Sequence, residues 1–252
     1  MARRNPLREL WERGGTAFGL WATVPGSFGA ELLAGAGFDY LCVDQQHGVL
    51  DYAAMVPMLQ GARAAGAAPL TRVLSADPAL ITKALDAGAW GVIVPLVSDG
   101  AAAARAVSAC RFPPRGTRSY GPVRAAEVIG SSDPETVERE ALCFVMVETA
   151  EGLHNVEEIA ATPGLDGIYI GPADLSLSLG AGPGELERAM GRIREACEGA
   201  GIVPGVHCSS GEEARRRAAE GFRLVTVTSD AALLREGARR ELAAARKGSR
   251  AL

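Results

Sequence analysis

Residues 144 to 176 read FVMVETAEGLHNVEEIAATPGLDGIYIGPADLS. A short apolar run, a longer charged segment and a second short apolar run follow one another here, which is the pattern of a β-strand, a helix and a further β-strand. Each apolar run leads to a carboxylate, because Glu148 closes the first and Asp174 lies four residues beyond Ile170. The segment predicts two neighbouring parallel strands with an acidic residue at the carboxyl end of each.

The same alternation of strand-like and helix-like segments continues through the whole chain. Short apolar runs recur between longer Ala-rich, charged segments, at 18–22, 40–43, 68–73, 91–97, 142–147, 167–170, 202–206 and 224–227. Alternating strands and helices imply parallel strands with crossover helices, and eight such units close into a barrel without an unpaired edge. An open, doubly wound sheet is the alternative, but no Gly-x-Gly-x-x-Gly follows the first strand. We predict an α/β fold, an eight-stranded parallel (β/α) TIM barrel.

Length and composition favour one domain over residues 1–252. The chain has 252 residues, 48% hydrophobic and 22% charged, which is the balance of a folded chain with a sizeable core. No composition break divides it, and the longest irregular stretch is expected at about 112–132, where long loops are often functional. The amphipathic C-terminal segment 231–245 is expected to pack against other subunits.

Composition also excludes several classes of function. The net charge is −4 and the basic residues are scattered, which argues against a nucleic-acid partner. No apolar run approaches the length of a membrane span, and the basic start of the chain is not followed by an apolar signal core. The five cysteines form no CxxC pair. We therefore predict a cytoplasmic protein with reduced cysteines and no membrane or nucleic-acid partner.

Polar residues end five of the predicted strands, at the barrel end where active sites form. They are Asp44 and His47, Arg72, Glu148, Asp174 and His207. Adjacent strands lie about 4.8 Å apart, so Glu148 and Asp174 can reach one cation, and two carboxylates with water and substrate oxygens suit Mg²⁺ or Mn²⁺. The competing interpretation makes Glu148 a salt-bridged barrel carboxylate and Asp174 a helix cap.

The other polar strand ends also have two interpretations. Arg72 stabilises an enolate oxygen or forms an internal salt bridge with Asp44 or Glu148. His47 serves acid-base chemistry, oriented by Asp44, or is a plain loop histidine. His207 offers a hydrogen bond or a positive charge to a polar or carboxylated group of a ligand, or is a neutral imidazole bonded to a neighbouring strand end.

Taken together in this order, the motifs resemble those of the HpcH/HpaI family of metal-dependent class II 2-oxo acid aldolases. The resemblance covers nearly the whole chain and rests on collinear segments: Gly19-Leu20-Trp21, residues 30–39, Asp44-Gln45-Gln46-His47, Arg72, Leu85-Asp86-Ala87-Gly88, Val94-Pro95, Arg111-Phe112-Pro113-Pro114, Val147-Glu148-Thr149 and residues 171–176. Each segment alone is weak, and their common order is what makes the resemblance specific.

The resemblance implies a role for each candidate residue. Glu148 and Asp174 would bind a divalent metal, Mg²⁺, Mn²⁺ or Co²⁺, which pyruvate chelates, and Arg72 would hold the enolate oxygen. His47, paired with Asp44 or Asp86, would assist proton transfer. The remaining expected substrate contacts are the backbone of Gly171, Pro172 and Ala173 for the carboxylate and Trp21 in the pocket wall. The family also implies a homo-oligomer, a hexamer or a trimer.

Three departures from the family pattern limit how far the roles of residues in the family can be transferred to this chain. Gln46 stands where many members have Glu beside the catalytic His, and Met146 stands where some have Gln. His207 and Cys208 fall where an apolar residue is common, so acceptor specificity cannot be transferred.

The expected activity is cleavage or formation of 4-hydroxy-2-oxo acids, to or from pyruvate and an aldehyde, through a metal-stabilised enolate. A Schiff-base mechanism is disfavoured because the only lysines, Lys83 and Lys247, fall in helical segments. Two alternatives stay open: a citrate-lyase-type acyl-CoA carbon–carbon lyase, and a non-catalytic barrel that binds a 2-oxo acid.

Overall fold

A computed structural model describes residues 2–180 and 182–247 of the chain. Its strands pair in parallel, in chain order, into a closed barrel. They are β1 (Ala17–Ala22), β2 (Tyr40–Asp44), β3 (Ala68–Arg72), β4 (Gly91–Val94), β5 (Leu142–Val147), β6 (Gly167–Ile170), β7 (Val203–His207) and β8 (Leu224–Ser229). The eight-stranded parallel barrel predicted from the sequence is confirmed, with each strand within three residues of its expected ends.

Helices surround the barrel and begin where the sequence carries helix-start residues. They are α1 (Pro6–Glu12), α2 (Ser27–Ala34), α3 (Tyr52–Ala64), α4 (Pro78–Asp86), α5 (Gly100–Cys110), α6 (Val123–Ile129), α7 (Pro134–Glu140), α8 (Ala150–His154), α9 (Val156–Ala160), α10 (Pro172–Leu179), α11 (Pro183–Ala200), α12 (Gly211–Ala219) and α13 (Asp230–Arg246). Asp77 and Asp133 cap α4 and α7 through their side chains, each before a proline that needs no N–H partner at that position.

The core has an inner and an outer layer. Inward-facing side chains such as Trp21, Tyr40 and Phe144 fill the barrel, while apolar residues on the other strand face pack against the helices. Helix α1 covers the amino-terminal end of the barrel, where Leu7 is buried and Trp11 packs 6.0 Å from Phe144 between ring centroids. That end is therefore closed, which leaves the carboxyl ends of the strands as the open mouth.

The expectation of one irregular stretch at 112–132 is partly wrong. Residues Val123–Ile129 form α6, because Ala125, Val128 and Ile129 supply an apolar face that becomes buried. The stretch follows α5 and precedes α7 and β5, so it lies at the closed end of the barrel. Its buried Arg118 lies 4.7 Å above the Phe112 ring and forms an ion pair with Asp86. The stretch therefore stabilises the closed end and does not line the open mouth.

All five cysteines are free and buried. None of the helices that the structure describes is long and apolar enough to cross a membrane.

Candidate active site

A cavity of about 480 Å³ opens at the carboxyl ends of the strands. Eight of the residues singled out from the sequence line it: Trp21, His47, Arg72, Gly171, Pro172, Ala173, Asp174 and His207. Glu148 is buried beside it, since a Cβ at Gly171 would lie 2.9 Å from Glu148 Oε2. A larger surface cavity of about 680 Å³ lies between α9 and α11, but it brings together no such set of strand-end polar groups.

Arg72 and Asp44 form a buried, bidentate ion pair. Strands β2 and β3 place the two residues directly opposite each other in register. Arg72 Nε donates to Asp44 Oδ1 at 2.8 Å and Nη2 donates to Oδ2 at 2.5 Å. Burial opposes ionisation of Asp44, but the hydrogen bonds and charge of Arg72 outweigh it and hold the pKa of Asp44 below its usual value. Both partners are therefore ionised, so the guanidinium keeps its positive charge although the pair as a whole is neutral.

One edge of the Arg72 guanidinium remains available to a substrate. Its Nη1 contacts only the sulfur of Met146, at 4.0 Å, among the polar atoms of the described residues. The guanidinium lies 5.1 Å from the centre of the Trp21 ring, and Trp21 Nε1 donates to Asp44 Oδ2 at 3.0 Å. Asp44 and Trp21 thus fix the plane of Arg72 and leave Nη1 as an oriented donor.

Glu148 is a buried carboxylate held by one backbone donor. The amide of Leu96 donates to Glu148 Oε1 at 2.8 Å. Leu96 adopts a left-handed backbone conformation (φ 57°) just after Pro95, which is why β4 ends at Val94 and not at residue 97 as expected. Burial raises the pKa of Glu148, and the nearby charge of Asp174 raises it further despite the Leu96 hydrogen bond. A cation beside the two carboxylates would favour the ionised form of Glu148.

The donor set fits a hard divalent cation. Glu148 Oε2 faces the Cα of Gly171, so any side chain at that position would occupy the space beside the carboxylate. No group of three or more His, Cys, Asp or Glu side chains with metal-binding spacing occurs within residues 2–180 and 182–247. The protein would therefore supply two carboxylates, and water and substrate oxygens would complete the shell, as is usual for Mg²⁺ or Mn²⁺.

His47 lies in the turn after β2 with an exposed side chain. Its backbone amide donates to Asp44 Oδ1 at 3.3 Å, and that of Gln46 donates to the same atom at 3.0 Å. Within the described part of the chain, its imidazole has no hydrogen-bond or ion-pair partner. Asp44 is occupied by Arg72, so it orients the turn and not the imidazole ring.

Within one chain, Asp86 lies away from the cavity that the other candidate residues line or adjoin. It ends α4 at the closed end of the barrel, where Arg118 Nη2 donates to Asp86 Oδ1 at 2.6 Å. Helix α4 runs back from the carboxyl end of β3, which explains why its last residue lies far from the cavity.

His207 belongs to a hydrogen-bonded line of side chains inside the barrel. Its Nδ1 lies 3.4 Å from Tyr169 Oη, which is 2.5 Å from Thr226 Oγ1, and Tyr40 Oη lies 2.8 Å from the same Thr226 atom. The His207 ring also meets the Trp21 ring edge-on, with centroids 5.2 Å apart. Burial, with the charge of Arg72, lowers the pKa of His207 to about 4. The side chain is therefore neutral at physiological pH and offers a hydrogen bond, not a charge.

Comparison with known proteins agrees with this geometry. The family model for HpcH/HpaI aldolase/citrate lyase matches residues 18–237. The chain belongs to this family. A hydroxypyruvate/pyruvate aldolase of Rhizorhabdus wittichii is 39% identical over 96% of this chain and 99% of its own length. A 4-hydroxy-2-oxo-heptane-1,7-dioate aldolase of Klebsiella pneumoniae is 34% identical over 93% and 91%.

A solved structure supports the same assignment. A crystal structure of an HpcH/HpaI aldolase/citrate lyase family protein from Burkholderia cenocepacia superposes with a TM-score of 0.88, at 36% identity, covering 96% of this chain and 99% of that one. As a member of the HpcH/HpaI family with relatives named aldolases, the chain is an enzyme, an aldolase of the carbon–carbon lyase class.

Among the contributors to this site that sequence reasoning missed are Leu96, Glu213 and Tyr169. Leu96 carries no polar side chain, and its role comes from a backbone amide in an unusual conformation. Glu213 lines the cavity from the first turn of α12, although the sequence indicated only a helix start there. Tyr169 could have been found, because it shares the inward face of β6 with Gly171, two residues further on.

Proposed function

We propose that this enzyme cleaves and forms 4-hydroxy-2-oxo acids, to and from pyruvate and an aldehyde, with the help of a divalent cation. The observation that carries the proposal is the buried Arg72, whose Nη1 is held free at a cavity that Asp174 lines and Glu148 adjoins. A positive donor near two carboxylates that would hold a divalent cation is an arrangement that can stabilise a 2-oxo acid as its enolate.

The donor substrate is expected to bind between Arg72 and the start of α10. Gly171 precedes the helix and Pro172 begins it, so the first-turn amides of Ala173 and Asp174 have no partner earlier in the helix and can donate to the substrate carboxylate. Glu148 and Asp174 would hold the cation, Mg²⁺, Mn²⁺ or Co²⁺. When bound, that cation supplies a positive charge that lowers the energy of the enolate.

In the cleavage direction the substrate 4-hydroxyl gives up its proton and the C3–C4 bond breaks. The bonding electron pair moves onto pyruvate as the enolate, while C4 becomes the aldehyde carbonyl. Arg72 Nη1 donates to the enolate oxygen, and this bond strengthens as negative charge develops. His47, which is exposed at the cavity rim, accepts the hydroxyl proton directly or through one water. Protonation of C3 then yields pyruvate.

Lysine chemistry is not required by this proposal. The only lysines of the chain are Lys83 and Lys247, and neither lines the cavity among the described residues. Lys83 lies in α4, 4.5 Å from the centre of the Tyr52 ring.

The test is a screen for pyruvate release from a series of 4-hydroxy-2-oxo acids, after treatment with EDTA and re-addition of Mg²⁺, Mn²⁺ or Co²⁺. We expect release that depends on the added cation and is lost in Glu148→Gln. Full activity in excess EDTA would contradict the role of the cation. Binding of pyruvate without turnover of any substrate would favour the non-catalytic barrel, and activity on acyl-CoA thioesters alone would favour the citrate-lyase-type reaction.

We further propose a cytoplasmic homo-oligomer, a trimer or hexamer, in which α13 packs against other subunits. Asp230 is the only residue of α13 that is buried in the single chain, and Leu233, Leu234 and Leu242 are exposed along it. Light scattering of the full chain and of a Leu234→Glu, Leu242→Glu double variant tests this, with a smaller particle expected for the variant.

A further inference from the structure

The wall of the cavity formed by β7, β8 and β1 is separate from the two carboxylates on the β5 and β6 side. It is lined by His207, Cys208, Ser209, Glu213, Ser229 and Thr23. Under the proposed function, pyruvate occupies the side of Arg72, Asp174 and the start of α10. The β7, β8 and β1 wall, which we call the acceptor wall, is then left for the aldehyde and its tail.

In β/α barrels the loops after the seventh and eighth strands often bind phosphate, because helix amides there are free. In this chain part of the donor set after β7 is already used. Ser209 N and Oγ both donate to Glu213 Oε2 at 3.0 Å, and Glu213 N donates to Ser210 Oγ at 3.2 Å. This reciprocal cap places a protein carboxylate where a substrate anion would need its donors.

The loop after β8 is occupied in the same way. Asp230 is 3% exposed and accepts from the amides of Thr23 at 3.0 Å, Val24 at 2.9 Å and Ala231 at 2.6 Å. Ser229 Oγ accepts from Ala232 N at 3.2 Å. At both helix starts that border the acceptor wall, side chains of the protein thus already accept hydrogen bonds from first-turn amides.

The positive charges near the acceptor wall are already paired with carboxylates of the protein. Arg217 is buried on α12 and forms a two-pronged ion pair with Glu187, with Nη2 to Oε1 at 2.6 Å. Arg216 lies 3.9 Å from Glu213 and 3.7 Å from Glu220. Among the described residues that line the cavity, the one guanidinium is that of Arg72. A phosphate or carboxylate tail would meet Glu213, whose nearest cations, Arg216 and Arg217 at 3.9 Å, are shared with other carboxylates.

What the acceptor wall does offer is hydrogen bonding by neutral groups. His207 lies 3.4 Å from Tyr169 through Nδ1, which leaves its second ring nitrogen for a ligand. Ser209, Ser229 and Thr23 line the same side. The hydroxyls of Ser209 and Thr23 donate to Glu213 and Asp230 and keep their acceptor lone pairs, while the Ser229 hydroxyl accepts from Ala232 N and keeps its proton to donate. These groups suit the hydroxyls of a short polyol chain.

We propose that the acceptor is an uncharged, hydroxylated aldehyde, and that Glu213 and His207 determine this specificity. Glu213 excludes anionic tails by repulsion, and His207 binds a tail hydroxyl. This inference rests on the proposed function and names the substrate class of the same site.

The experiment measures kcat/KM for aldol addition of pyruvate to glyceraldehyde and to glyceraldehyde 3-phosphate, with added Mn²⁺. We expect the phosphorylated aldehyde to be the poorer acceptor by about tenfold or more, because like charges in a partly desolvated site repel strongly. Glu213→Gln removes the charge but keeps a side-chain oxygen that can accept from Ser209, and it keeps the backbone amide that donates to Ser210 Oγ. It should raise the ratio of phosphorylated to neutral acceptor about tenfold. Glu212→Gln, on the exposed face of the same helical turn, should leave that ratio unchanged.

A second variant tests the hydrogen bond. His207→Leu should lower kcat/KM for glyceraldehyde relative to propanal by roughly tenfold, because one tail hydroxyl loses its partner. A preference for the phosphorylated acceptor, or equal shifts in Glu213→Gln and Glu212→Gln, would overturn the proposal. So would exchange of pyruvate methyl protons with solvent without addition to any neutral aldehyde. Absence of both exchange and addition would refute the proposed function itself.

Discussion

Replacement of Asp44 by Asn tests how much of the site depends on one buried ion pair. The Asp44 carboxylate accepts hydrogen bonds from Arg72 Nε and Nη2, from Trp21 Nε1 and from the amides of Gln46 and His47. The side chains of Arg72 and Asp44 are 8% and 2% exposed. Asn has one acceptor oxygen, and its amide group would oppose an N–H of the guanidinium.

Asp44→Asn is expected to lower the free energy of unfolding because Arg72 stays buried without its counter-ion. Removing one partner of a buried pair leaves an uncompensated charge, which costs about 3–5 kcal/mol in the free energy of unfolding. The matched control is Glu157→Gln, which removes one partner of an equally two-pronged but exposed pair, with Arg192 and Glu157 side chains 45% and 61% exposed. An exposed pair contributes only about 0–1 kcal/mol.

Urea unfolding at pH 7 followed by circular dichroism measures both variants. The pKa of Asp44 is lowered in the folded protein, so its contribution is complete above the unfolded pKa and is lost as the pH falls through the folded pKa. The stability difference between wild type and Asp44→Asn should therefore shrink below a pH of about 4. Equal losses in Asp44→Asn and Glu157→Gln at pH 7 would refute the view that Arg72 depends on a buried counter-ion.

Three further substitutions probe the chemistry. Arg72→Lys should lower kcat far more than it raises KM, because the enolate oxygen becomes anionic only as the bond breaks, and steady-state kinetics that show mainly a KM effect would make Arg72 a ground-state binder. His47→Ala should lower kcat on the order of a hundredfold, and near-normal turnover would mean that it is a plain loop histidine. Gly171→Ala should weaken Mn²⁺ binding in calorimetry, because its Cβ would lie 2.9 Å from Glu148 Oε2, and unchanged affinity would remove Glu148 from the proposed cation site.

The barrel was predictable from the sequence because each strand is a short apolar run between longer charged, Ala-rich segments. The runs at 142–147 and 167–170 have the bounds of β5 and β6 as the structure has them. Errors arose where a local residue overrides the apolar pattern. Pro95 and the left-handed Leu96 end β4 early, and the buried apolar face of α6 makes a helix from residues between two proline-containing turns.

The strand-end residues were predictable as a group, but their partners were not. Parallel strands bring their carboxyl ends to one rim, so Arg72, Glu148 and His207 could be expected near one another. The Asp44 contact with Arg72 was one of two open alternatives, and register between β2 and β3 decided it. The distant position of Asp86 follows from the direction of α4 and not from its sequence neighbours. The neutral state of His207 depends on burial and on the charge of Arg72, which no local motif encodes.

The central claim is that this site forms the enolate of pyruvate, and proton exchange at the pyruvate methyl group tests it without any knowledge of the aldehyde. Enzyme freed of metal with EDTA is incubated with pyruvate in D₂O, with and without added Mn²⁺, then treated with chelator and examined by proton NMR. The account predicts loss of the methyl signal only with the added cation, and strong suppression of that loss in Arg72→Lys. A methyl signal that persists in the wild-type enzyme under every condition would contradict the account.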